Sequence, residues 1–141
     1  MNKFITLYTS LLILFIAVHN CTIPNSDYPP RLKTNSDSLY HQINSIIKCE
    51  KTEINGIKLQ LNDTLILDFN ARIINASNLP KDTNELKNIQ RKIASNLKNQ
   101  LIDSNQFTGY NIVFIEQRNS QNSHYENAIF AHSFSTIELS K

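Results

Sequence analysis

Thr64-Leu65-Ile66-Leu67-Asp68-Phe69-Asn70-Ala71-Arg72-Ile73-Ile74 is the stretch that decides the fold. Leu65, Leu67, Phe69, Ala71 and Ile73 fall on one side of an extended chain, and Asp68, Asn70 and Arg72 fall on the other. Successive side chains of a strand point to opposite faces, so this alternation predicts a strand with one dry and one wet side. Just upstream, 51–61 puts Ile57, Leu59 and Leu61 on one face, and Asn62-Asp63 between the two runs has the chemistry of a tight turn. The pair therefore reads as a hairpin. Gly56 interrupts its first strand and is expected to mark a bulge.

Downstream the period changes from two to three and four. Leu86, Ile89, Ile93, Leu97 and Leu101, with Ala94 beside them, form one stripe of a helix over 82–102. Asp82 followed by Glu85 makes an acidic capping box, with Pro80 just before it. Lys87, Arg91, Ser95, Lys98 and Asn99 form the opposite, solvated face. Two further strands follow. In 110–117, Tyr110, Ile112 and Phe114 alternate with Val113 and Ile115, so both faces are apolar and a central position is expected. In 127–139, Ala128, Phe130 and Phe134 oppose Ser133 and Ser135. The polar segment 118–126 between them reads as a mobile loop. An N-terminal helix over 36–48 would bury Leu39, Ile43, Ile46 and Ile47; a strand is the alternative there. The order (α)ββαββ predicts an α+β domain, a four-stranded antiparallel sheet with a helix packed on one face.

The chain has 141 residues, 40% of them apolar and 18% charged, which is the composition of one globular domain and not of a disordered segment. Its formal net charge is +2 and its Lys and Arg residues are scattered. No basic stripe follows a phosphate backbone, which argues against a nucleic-acid partner.

The first residues read as an address. After Asn2 and Lys3, positions 4–18 are almost wholly apolar, a run of about 15 where a membrane-spanning helix needs about 20. That is the size of a signal-peptide core. His19-Asn20 breaks it, and Cys21 follows. Val18-His19-Asn20-Cys21 and the run before it resemble a bacterial lipoprotein signal peptide, whose lipobox ends in the acylated cysteine. His19 and Asn20 depart from the usual small residues and are similar to the looser lipoboxes of Bacteroidota. The resemblance implies a signal peptide at 1–20, a lipid on Cys21, a proline-bearing tether at 21–33 and a single domain at 34–141. An uncleaved signal anchor is the alternative. Thr22 stands where an inner-membrane retention signal would place Asp, and no acidic surface-export run follows Cys21, so the outer membrane facing the periplasm is the expected location. Ile54-Asn55-Gly56, Asn78-Leu79-Pro80 and the 82–102 helix are similar to features of small Bacteroidota lipoproteins without assigned activity. Asp37-Ser38-Leu39 and Asp63-Thr64-Leu65 resemble O-glycosylation sites of that group.

No catalytic, cofactor-binding or metal site is expected. His41, His124 and His132 form neither an HxH nor an HExxH pattern, and Gly56 and Gly109 stand too far apart for a nucleophile elbow or a phosphate loop. Cys49 reads as a small buried hydrophobe. Asp68 and Arg72 share a strand face and are close enough along it to pair, for at most about 1 kcal/mol at the surface. What remains is a tethered binding domain for an envelope partner, contacting it through Asp68, Asn70 and Arg72 or through the 118–126 segment. A self-associating structural component and an enzyme whose site is assembled from dispersed residues are the alternatives.

Overall fold

The computed structural model describes residues 26–61, 64–120 and 123–140. Five strands form one sheet in the order β1 (Ser26–Tyr28), β2 (Lys51–Leu61), β3 (Thr64–Ile74), β4 (Gly109–Ser120) and β5 (Ser123–Ser135). Two helices, α1 (Ser36–Ile46) and α2 (Thr83–Gln100), pack on one face. The domain is α+β, and its sheet differs from the expected one in two ways.

First, the sheet is mixed. β2 and β3 pair antiparallel, as do β4 and β5, but β3 and β4 run parallel from Asp68 opposite Gly109 to Ile74 opposite Ile115. The cause is α2. Its 18 residues rise about 27 Å and carry the chain back to the end where β3 began, so the next strand enters in the same direction. Strand, helix, strand is itself the signature of a parallel crossover. Second, there is a fifth strand, made from residues expected in the tether. Ser26, Asp27 and Tyr28 pair with Lys58, Ile57 and Gly56. The chain then runs along the end of α2: Leu32 bridges Leu101, the Ile102 amide donates to the Arg31 carbonyl at 2.9 Å, and the Arg31 guanidinium grips the buried Asp103 at 2.5 and 2.6 Å.

Local chemistry explains each element. Asp82 caps α2, accepting from the amides of Asn84 and Glu85, both at 2.9 Å. Asn35 caps α1 through the Ser38 amide, and 36–46 is a helix, not a strand. Leu39, Ile43 and Ile47 meet Leu86, Ile93, Ala94, Leu97 and Leu101 over Leu67, Phe69, Ala71 and Ile73, each of them less than a tenth exposed. Phe69 lies edge-on to Phe107 at 5.4 Å and tilted against Tyr110 at 5.6 Å. Cys49 is buried in the same core.

Gly56 marks no bulge. It pairs regularly with Phe69, and a β-carbon there would sit 2.6 Å from the Tyr28 carbonyl oxygen and 3.1 Å from the Phe107 ring. The glycine admits β1 and Phe107 against the sheet. The register slips instead between β4 and β5, where Phe114 faces Phe130 and Ile115 faces Ala128, leaving Ile129 as the extra residue. The polar segment 118–126 is strand on both sides of residues 121 and 122, with Arg118 opposite Tyr125 and Asn119 opposite His124. β4 lies between β3 and β5, with β3 the middle strand of the five.

Candidate functional site

Both helices cover the face of Leu67, Phe69, Ala71 and Ile73, so the opposite face of the sheet carries no helix. The strand registers assemble it from four strands. Asn55 pairs with Asn70, Asn70 with Asn111, and Asn111 with Ser133. Neighbouring strands lie about 4.8 Å apart, so the three amides and the hydroxyl form one evenly spaced polar row across the sheet. The Ser133 hydroxyl donates to the Asn111 side-chain oxygen.

A charged row runs beside it. Arg72 on β3 donates to Glu53 on β2 at 2.5 Å and reaches past β4 to Glu126 on β5. Lys51 donates to the other oxygen of Glu53 at 2.7 Å. The hydrogen bond from Lys51, with the nearby Arg72 charge, holds the Glu53 carboxyl below its usual range. Ile74 and Ile115, neighbours in the parallel register, are buried on this same face. Asn75 closes the end of the face. It adopts a left-handed φ of 52°, which asparagine tolerates, and its side chain accepts from the Gln117 amide at 2.8 Å and donates to the Gln117 carbonyl at 3.0 Å.

Asp68, Asn70 and Arg72 therefore share one face, as the alternation predicts, but Asp68 and Arg72 do not pair. Asp68 accepts from the Thr108 hydroxyl at 2.9 Å, and its Oδ1 would stand 2.9 Å from a β-carbon on Gly109. Arg72 is committed to Glu53 and Glu126. The residues that sequence reasoning missed are Asn55, Asn111 and Ser133 of the row and Glu53 and Glu126 around Arg72. Each belongs to a different strand, and only the register joins them.

The histidines are dispersed. His41 leans on Tyr40 at 5.7 Å, His124 contacts Asn119 at 2.6 Å, and His132 lies edge-on to Phe134 at 4.6 Å. Burial lowers the His132 pKa, with Lys87 and Arg91 adding to the effect. Among the described residues no three of His, Cys, Asp and Glu are grouped to hold a metal ion, and no helix is long and apolar enough to cross a membrane. One buried amide stands out. Gln90 of α2 donates to the Ile112 carbonyl at 2.8 Å, while its own oxygen has no partner. Ser38 of the first candidate glycosylation motif lies in the opening turn of α1, with Leu39 buried behind it. Cys21 and Asp63 lie outside the described residues. The chain matches no protein-family model, no curated protein and no solved structure among those searched.

Proposed function

We propose that this chain is a lipid-anchored lipoprotein of the bacterial envelope, held by Cys21 at the outer membrane facing the periplasm, and that its domain is a non-catalytic binding module. The observation that supports the binding reading most is the helix-free sheet face. Its Asn55–Asn70–Asn111–Ser133 row offers amide donors and acceptors at regular spacing, and the neighbouring Lys51 and Arg72 balance the charges of Glu53 and Glu126. Such a face suits a polar partner recognised by hydrogen bonds, such as an envelope protein, more than a strongly charged one. The test is capture from crosslinked envelopes with the full chain and with Asn70→Lys/Asn111→Lys. Loss of one captured species in the variant, with unchanged circular dichroism, is the expected result; identical capture by both proteins would dismiss the face.

The alternative reading is a structural component that self-associates. It draws on β5, a 13-residue edge strand exposed along most of its length. Light scattering on the Cys21→Ser protein separates the two readings. A monomer at all concentrations removes self-association, and a dimer lost on Ile129→Pro supports it.

A further inference from the structure

The strand directions place the chain's entry at one end of the domain. β1 runs antiparallel to β2, with Ser26 opposite Lys58, so the polypeptide arrives at the sheet beside the end of β2 and the start of β3. Leu65 lies at that start and is 57% exposed. α2 finishes at the same end, where the Lys33 amide donates to the Gln100 carbonyl and the Ile102 amide to the Arg31 carbonyl; Ile102 is 55% exposed. β5 also runs toward this end, since Ser135 faces Gly109, which faces Asp68 near the start of β3. Ile137 follows and is 74% exposed. Thus the three most exposed large apolar side chains of the described residues gather at the end where the chain comes in. The other two, Tyr125 and Ile129, lie elsewhere, on β5.

We propose that this end of the domain docks on the lipid headgroups, with Leu65, Ile102 and Ile137 entering the interface. The proposal rests on the reading of Cys21 as the lipid anchor. Only four residues separate Cys21 from Ser26 in the sequence. Fully extended, that link spans at most about 18 Å, because each residue adds no more than about 3.6 Å. A strand of 11 residues is about 36 Å long, so a lipid on Cys21 keeps the entry end near the bilayer while Tyr125, toward the other end of β5, can stand well clear of it. Isoleucine and leucine at the headgroup boundary are favoured by transfer out of water. Lys33 and Lys58, both exposed at this end, add attraction to anionic lipid. Arg31 is neutralised by Asp103, while Asp68 and Glu138 are acidic residues near this end that oppose the attraction.

The experiment uses the full lipidated protein carrying Cys49→Ser, with one new thiol at a time: Leu65→Cys, Ile137→Cys or Tyr125→Cys. Each is labelled with a solvent-sensitive fluorophore and reconstituted into phosphatidylethanolamine–phosphatidylglycerol vesicles that contain a headgroup-labelled quencher lipid. Intact mass first establishes the lipid on Cys21. Quenching at positions 65 and 137 at least threefold that at 125 is the expected result. Equal quenching at all three sites, with the lipid present, would overturn the docking and leave the anchor standing. Shielding at 65 that follows protein density and ignores the quencher lipid would assign the patch to a second copy and also overturn it. A mass without lipid would overturn the anchor itself.

Discussion

The two faces of β3 alternate residue by residue along the same strand and end in opposite conditions. Leu67, Phe69, Ala71 and Ile73 disappear under two helices; Asp68, Asn70 and Arg72 stay partly exposed, Arg72 taking its partners from β2 and β5 and Asp68 taking Thr108 just before β4. Information about each face resides in a different part of the chain. The covered face is completed by the helix stripes, whose period is written in the sequence. The open face is completed by strand register, which depends on the parallel crossover and on the Ile129 bulge. Stability should therefore concentrate on one face and recognition on the other. Substitutions on each face test that division.

The largest expected effect is Phe69→Ala. Phe69 is fully buried and touches both Phe107 and Tyr110, so the change removes apolar contact and leaves a cavity among rings that cannot all collapse. A loss of about 3–5 kcal/mol is expected, read as a lower urea midpoint at unchanged slope. Gly56→Val comes next. Gly56 faces the covered side opposite Phe69, and a β-carbon there meets the Tyr28 carbonyl at 2.6 Å. β1 or Phe107 must shift, at a cost of about 1–3 kcal/mol. Hydrogen exchange should quicken at residues 26–28 and 56–58 and stay slow in α2. Uniformly faster exchange would mean that β1 is part of the cooperative core and not an addition to it.

Arg72→Ala tests the open face. Despite two carboxylate partners, the guanidinium and both acids are about one-third exposed, and water screens such pairs. A stability loss of no more than about 1 kcal/mol is expected, shrinking further in high salt. A loss well above that would show the Glu53–Arg72–Glu126 bridge to be a structural lock across the sheet, and the division of labour between the faces would fail.

Much of this was legible beforehand. The faces of 64–74, the stripe of 82–102 and its Asp82 cap follow from side-chain periodicity and from unsatisfied helix amides, both local properties. The entry strand was not, because Pro24 and the Pro29-Pro30 pair describe an extended chain without saying whether it is solvated or paired. Only Gly56, a residue read as a bulge, hinted at the close approach of another backbone. The antiparallel expectation fails because a helix of that length returns the chain to the start of β3 before β4 begins. The polar row escaped notice because Asn55, Asn70, Asn111 and Ser133 are unremarkable in their own strands. Gln90 is the reverse case: its place between Leu86 and Ile93 falls on the apolar stripe, and its polarity hid its burial.

The smallest effect concerns the rim of the covered face, where β5 carries Phe130, His132 and Phe134 toward α2. His132 lies against Phe134, with Lys87 and Arg91 on the helix and Glu138 in the turn after β5. Its folded pKa is lowered from the usual 6.5, by burial first and then by Lys87 and Arg91, while Glu138 pulls the other way. At pH values just below that, the unfolded chain binds the proton more readily than the folded one. Stability is then complete above about pH 7.5 and declines as the pH falls from about 6.5 through the folded value. The Glu53 and Glu138 carboxyls, also lowered, act in the same sense but only below their ordinary 4.5, so the windows separate. Urea midpoints at about pH 7.5 and 5.5 should differ in the native protein and coincide in His132→Gln. A flat native profile would mean that water already solvates the ring, and that the dry side of the sheet ends at Phe134.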